Sequence, residues 1–123
     1  MAQVAVVSIV DDDESVRAAM SSLVRSLGYE ALVFASAEAF LASPRLGDTS
    51  CLIVDIQMPG MSGLDLQAKL QARRSAIPVI FITAFPEERI RQRAVAAGAI
   101  GFFGKPVDGH TIIRCLDLAL RHD

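Results

Sequence analysis

Cysteine is scarce in these 123 residues: only Cys51 and Cys115 occur, with no C-x-x-C and no Cys/His spacing around them. Neither a disulfide framework nor a zinc site is expected, and both thiols read as buried apolar side chains. Long hydrophobic runs are also missing, since no apolar stretch approaches the roughly 18 residues that cross a bilayer. Met1-Ala2-Gln3 carries no basic charge, so no secretory leader is expected and the cytoplasm is the expected location. Neither sign of charge dominates, because 12 Lys+Arg face 14 Asp+Glu for a net charge of -2. That balance offers no electrostatic case for direct nucleic-acid binding. Repeats, low-complexity segments and linkers are absent too. What remains is a chain 52% hydrophobic, far too apolar to be disordered, whose length suits one domain over residues 1–123.

Short β-branched apolar runs alternate with helical patterns along the whole chain. Ala5-Val6-Val7-Ser8-Ile9-Val10 reads as a first strand, and four acids, Asp11 to Glu14, follow it. Val16, Ala19, Met20, Leu23, Val24 and Leu27 then form one helical stripe, which Gly28 stops. Glu30 to Phe34 supplies a second strand, and Ser36 caps a short helix to about Ala42. Cys51-Leu52-Ile53-Val54 is a buried run delivering Asp55, and after the Pro59-Gly60 turn a helix opens at Gly63 on Leu64, Leu66 and Leu70. Val79-Ile80-Phe81-Ile82 ends at Thr83, Glu87 to Ala97 is a weakly amphipathic helix, and Gly101-Phe102-Phe103 leads to Lys105-Pro106. Asp108 caps a last helix carrying Ile112, Ile113, Leu116, Ala119 and Leu120. The segments between strands hold roughly 16 to 23 residues, longer than hairpins need and suited to parallel crossovers. Five such βα units predict an α/β fold, an open five-stranded parallel sheet with helices on both faces.

Ligands of open parallel sheets gather beyond the carboxyl ends of the strands. Here four of the five exits carry chemistry: Asp11 and Asp12, then Asp55, Thr83 and Lys105. Three converging carboxylates repel one another. A hard divalent cation makes them tolerable, and Mg2+ favours a few carboxylates together with water and a phosphate oxygen. A hydroxyl and an ammonium at the same place suit the other oxygens of a phosphoryl group. Asp55, alone at its strand end, fits a nucleophile, with Asp11 and Asp12 as metal ligands and an acyl phosphate as the product. Taken by itself, an Asp in that position serves equally well to close a turn.

The acids after Ile9-Val10, the stretch from Val54-Asp55-Ile56-Gln57-Met58-Pro59 to Gly63, Ile82-Thr83-Ala84 and Phe102-Phe103-Gly104-Lys105-Pro106 together resemble the receiver domain of two-component response regulators. The resemblance spans essentially the whole chain, and Ser36-Ala37-Glu38-Ala39-Phe40-Leu41 is similar to the FixJ-type branch. It implies a flavodoxin-like strand order 2-1-3-4-5. It also implies Asp55 as phosphoacceptor and Mg2+ held directly by Asp12 and Asp55, through water by Asp11, and by the Gln57 carbonyl. Thr83 would move toward the phosphoryl group, Lys105 would pair with it, and Phe102 would turn inward on activation; Lys105-Pro106 would be cis. The implied donor is a phosphohistidine on a sensor histidine kinase. The receiver is then no conventional enzyme, catalysing only its own aspartyl phosphorylation and dephosphorylation. Output would pass through the face of the fourth helix, fifth strand and fifth helix, with a homodimer on phosphorylation among the expected partners. No helix-turn-helix pattern precedes Asp123, so a transcriptional output is expected from a DNA-binding domain outside these residues.

Plainer roles fit other side chains. Asp13 and Glu14 suit the first turn of a helix, Arg89, Arg91 and Arg93 a solvated helix face, and His110 and His122 the surface. Phe102 and Phe103 must point to opposite faces. Phe85-Pro86 is stiff and apolar for a moving loop, Gly104 offers the lysine strand no side chain, and Val107 is smaller than the phenylalanine often found there. Among other functions, a haloacid-dehalogenase-like phosphatase needs a second Asp two residues after the nucleophile, where this chain has Gln57. A flavin carrier needs a phosphate cradle after the first strand, where Asp11 to Glu14 would repel phosphate. A non-phosphorylated receiver-like module has no need of the filled site.

Overall fold

The computed structural model describes residues 4–120; Met1–Gln3 and His122 lie outside them. Five strands, β1 (Val6–Val10), β2 (Glu30–Phe34), β3 (Cys51–Asp55), β4 (Val79–Thr83) and β5 (Gly101–Gly104), alternate with five α-helices. The helices are α1 (Glu14–Ser26), α2 (Ala37–Leu41), α3 (Gly63–Ala72), α4 (Glu88–Ala96) and α5 (Gly109–Leu120), and a 3-10 turn at Leu46–Asp48 precedes β3. The strands are all parallel and their order is β2-β1-β3-β4-β5, as expected. Every residue of β1, β3 and β4 is buried, which is why these strands read as continuous apolar runs and not as alternating ones.

Two apolar layers sandwich the sheet. On one side Ala37 and Phe40 of α2, Leu66 and Leu70 of α3 and Ala94 of α4 pack on Val10, Leu52, Val54 and Phe81. On the other, Met20 and Val24 of α1 and Ile112, Cys115 and Leu116 of α5 pack on Val7, Ile9, Ile53 and Ile80. Each fully buried Ile, Leu or Phe contributes roughly 1.5–3 kcal/mol. Phe102 packs with the first layer and Phe103 with the second, the alternation a strand imposes. Val107 also packs against the second layer. Cys51 and Cys115 are buried and free; burial first, and then the nearby Cys115, push the Cys51 thiol up to about 12.

The expected helix Glu87–Ala97 is Glu88–Ala96 with those two residues as its caps, and β1 begins at Val6, one residue later than expected. Ser36 does cap α2, accepting from the Ala39 amide at 3.0 Å. His110 and the three arginines of α4 are exposed, and Arg91 pairs with Glu88 one turn earlier.

Register aligns the carboxyl ends. Val10 lies beside Val54, so Asp11 emerges next to Asp55; Asp55 lies beside Ile82, and Thr83 beside Gly104. Asp11, Asp55, Thr83 and Lys105 are therefore delivered to one end of the central strands.

Candidate functional site

The acidic loop between β1 and α1 divides its carboxylates by role. Asp13 caps α1: its Oδ1 accepts from the Ser15 amide at 2.9 Å, the Val16 amide at 3.4 Å and the Ser15 hydroxyl at 2.7 Å. Asp11 is wholly buried and its Oδ1 accepts from the Asp13 amide at 2.9 Å, while Asp12 is exposed. Arg17, one turn into α1, donates from Nη1 to the Asp11 carbonyl at 2.8 Å and so fixes the backbone that carries the acids. Asp55 is 4% exposed. Its Oδ1 accepts from the Gln57 amide at 3.1 Å and its Oδ2 from Lys105 Nζ at 3.1 Å.

Behind Asp55, α3 starts closer to β3 than any side chain would permit. A Cβ on Gly63 would lie 2.4 Å from the Asp55 carbonyl oxygen. Ser62 caps that helix reciprocally with Asp65: the Ser62 side chain accepts from the Asp65 amide, and the Asp65 carboxylate accepts from the Ser62 amide.

Lys105 sits between two acids, with Nζ 2.9 Å from Asp11 Oδ2 and 3.1 Å from Asp55 Oδ2. Burial alone would lower its pKa, but its contacts with Asp11 and Asp55 outweigh that and raise it, so it carries a charge at neutral pH. The Asp55 carboxyl is shifted up, chiefly by burial; the Gln57 amide and Lys105 oppose the shift, and the nearby Asp11 adds to it. Ligand oxygens of Asp11, Asp12 and Asp55 all lie within 4.8 Å of one another. Three carboxylates against one ammonium leave an excess of negative charge. Asp11 Oδ2, though within ion-pair distance of Lys105, is buried with no hydrogen-bond donor aligned on it. A hard divalent cation balances that excess, so the residues present fit one.

Thr83 is buried, and its Oγ1 accepts from the Phe85 amide at 3.2 Å, tying the hydroxyl into the loop that follows β4. The Lys105 amide donates to the Thr83 carbonyl at 2.7 Å, and the Lys105–Pro106 peptide is cis. Pro86 lies over Gly104, with its Cγ 3.1 Å from where a Cβ would stand, so the lysine strand's missing side chain is replaced by the loop's proline. The structure thus brings Asp11, Asp12, Asp55 and Lys105 into one cluster. Gln57 joins it through its amide and Thr83 through the register. Phe102 lies apart, half-buried in the α2–α3–α4 layer beside Phe81. A cleft of about 940 Å³ lies at the amino ends of the strands near Val6, Glu30, Ser50 and Pro78, away from the carboxylates.

A family model described as "Response regulator receiver domain" matches residues 7–117. The response regulator protein TmoT of Ectopseudomonas mendocina is 44% identical over 119 residues, covering 97% of this chain and 54% of that protein. The solved structure of response regulator StyR superposes with a TM-score of 0.88 at 40% identity, over 96% of this chain and 60% of that one. The crystal structure of FixJ-N gives 0.83 at 35% identity, over 96% and 94%. The chain spans about half the length of the curated relatives it matches.

Proposed function

The chain belongs to the response regulator receiver family, and from that premise we propose that residues 1–123 form one signalling receiver domain, activated by phosphorylation of Asp55. The observation that carries this reading is the Lys105 ammonium held between the carboxylates of Asp11 and Asp55. In the proposed reaction an Asp55 oxygen attacks the phosphorus of a phosphohistidine on a sensor histidine kinase. The P–N bond breaks, and the imidazole, protonated at its other nitrogen, leaves neutral. Lys105 stays charged and exchanges its contact with Asp55 for the arriving phosphoryl oxygens. The Gln57 amide holds Asp55 Oδ1 and orients the carboxylate. Mg2+, held by Asp11, Asp12, Asp55 and the Gln57 carbonyl, would supply positive charge against the phosphoryl oxygens. Hydrolysis of the acyl phosphate at the same site returns the receiver to rest.

The acyl phosphate carries a charge of roughly -1.5 to -2 beside Thr83, in place of the single charge of the Asp55 carboxylate. Its hydroxyl then leaves the Phe85 amide for a phosphoryl oxygen, and Phe102 repacks. That shifts an existing equilibrium of the α4–β5–α5 face, which docks a second copy or an output domain. Transcriptional control fits best, because relatives such as the transcriptional regulatory protein FixJ of Azorhizobium caulinodans extend well beyond the matched region. DNA contact would fall to that further region, since the receiver's net charge is -2. Cytoplasmic placement accords with the kinase partner, and no described helix is long and apolar enough to cross a membrane.

Incubation with Mg2+ and a small acyl or amido phosphate tests the chemistry. One phosphoryl group per chain is expected by intact mass, with none incorporated when a chelator is present from the start and none in Asp55→Asn. Stable labelling that persists in Asp55→Asn would sink the assignment.

A further inference from the structure

Glu38 stands on α2, the helix within the Ser36–Leu41 stretch whose sequence resembles the FixJ-type branch and which has no part in the chemistry above. Its neighbours Ala37 and Phe40 are fully buried in the layer that also holds Val54, Ile56 and Met58, and the Phe40 ring meets Phe34 of β2 edge-on at 5.4 Å, so α2 is anchored in the core. Glu38 itself is exposed and reaches across 23 residues of sequence, accepting from the Met61 amide through Oε2 at 3.1 Å. The same oxygen lies 2.7 Å from where a Cβ on Gly60 would stand, and Gly60 has φ +77°. The loop tip therefore takes glycine for its backbone angle, and the Glu38 carboxylate occupies the space that a side chain there would use.

The loop so held runs from Asp55 to Ser62. At its base the Gln57 amide binds Asp55 Oδ1 and the Gly63 amide binds the Ile56 carbonyl at 2.9 Å. Those two bonds close the loop on itself. The bond from Glu38 ties its tip to a different, core-anchored element. The Glu38 oxygen gives the Met61 amide an acceptor that a side-chain amide oxygen can also supply, and a ligand carbonyl is only as well placed as the backbone that bears it.

We propose that Glu38 is a positioning residue for the cation site: by clamping the Gly60–Met61 tip to α2 it holds the Gln57 backbone in the place from which its carbonyl meets the ion. This rests on the cation reading of the Asp11–Asp12–Asp55 cluster. The clamp acts through its acceptor oxygen and not through long-range charge, so glutamine can replace glutamate and alanine cannot.

Titration of the full chain with Mg2+, followed by amide chemical shifts, tests the clamp alongside hydrogen exchange at Met61 without metal. In Glu38→Ala the Mg2+ affinity should fall about fivefold, below the roughly 10- to 100-fold typical of groups that touch a ligand directly. The Met61 amide should exchange faster while the core strands keep their protection. Glu38→Gln should restore both to within about twofold, which neither a loss of negative charge nor a loss of fold predicts. A parent that responds to Mg2+ while Glu38→Ala binds equally well overturns the clamp alone, as does Glu38→Gln behaving like Glu38→Ala. A parent whose Asp11, Asp12 and Asp55 region shows no response to Mg2+ overturns the cation reading and the clamp with it.

Discussion

Helices α1 and α4 follow two of the strands that build the site, and they are held in opposite ways. α1 begins with the side-chain cap of Asp13 and buries Met20 and Val24. α4 begins at Glu87, whose side chain makes no capping bond, and Ala94 is its one buried residue. Its firm attachment is at the far end, where Gln67 of α3, itself 4% exposed, donates to the Ala94 and Ala97 carbonyls at 3.2 and 3.4 Å and Gln71 donates to the Ala97 carbonyl. The acids of the site thus share a loop with a well-anchored helix. Thr83 connects, through the exposed residues 84–87, to a helix whose hydrogen bonds from α3 side chains are at its other end. Elements with few buried contacts open at low free energy. A nucleophile and its ligands need fixed geometry, whereas a response to phosphorylation needs something that moves, and the two helices divide those requirements.

The largest effect should come from removing the anchor of α1. Val24→Ala is expected to cost roughly 2 kcal/mol of global stability in denaturant unfolding, from lost burial and the cavity left behind. A loss below roughly 0.5 kcal/mol, within the range of ordinary surface substitutions, would break the contrast. Next comes the tether of α4. Gln67→Ala should cost roughly 1 kcal/mol per hydrogen bond removed, with faster amide exchange concentrated in α4 and α1 little changed. Equal acceleration in both helices would show that α4 has no separate attachment. The smallest change should run the other way. Glu87→Ser supplies the missing cap, worth roughly 0.5–1 kcal/mol in an exposed helix, and should slow exchange in the first turn of α4. No slowing there would mean that something other than a cap already holds that end.

The strands were legible because three of them are buried on both faces and so carry unbroken β-branched and aromatic runs, and the crossover lengths between them left a parallel sheet as the fitting arrangement. The candidate site was legible to the extent that its residues stand at strand ends, where an acid, a hydroxyl or a lysine interrupts an apolar run. Asp13 as a cap could be read from its place before a helical stripe, and the Ser62–Asp65 box had the same kind of signal. Arg17, Glu38 and Gln67 could not be found that way. Each donates to or accepts from backbone: Arg17 binds the Asp11 carbonyl, Glu38 the Met61 amide and Gln67 the Ala94 and Ala97 carbonyls. Backbone groups are the same in every residue, so nothing in the partner's identity marks the pair.

By itself the sequence determined which residues form strands and helices, which positions are apolar enough to be core, and that Asp11, Asp12, Asp55, Thr83 and Lys105 leave the strands at one end. These follow from short-range periodicity and from the cost of burying charge. The tertiary structure alone decided the distances. Lys105 meets Asp55 across 50 residues because Thr83 pairs with Gly104 in the register. Asp11 is buried with an unaligned oxygen while Asp12 beside it is exposed. Contacts made between distant segments depend on register and helix placement, and these are set by the packing of the two layers as a whole and not by any stretch of the chain alone.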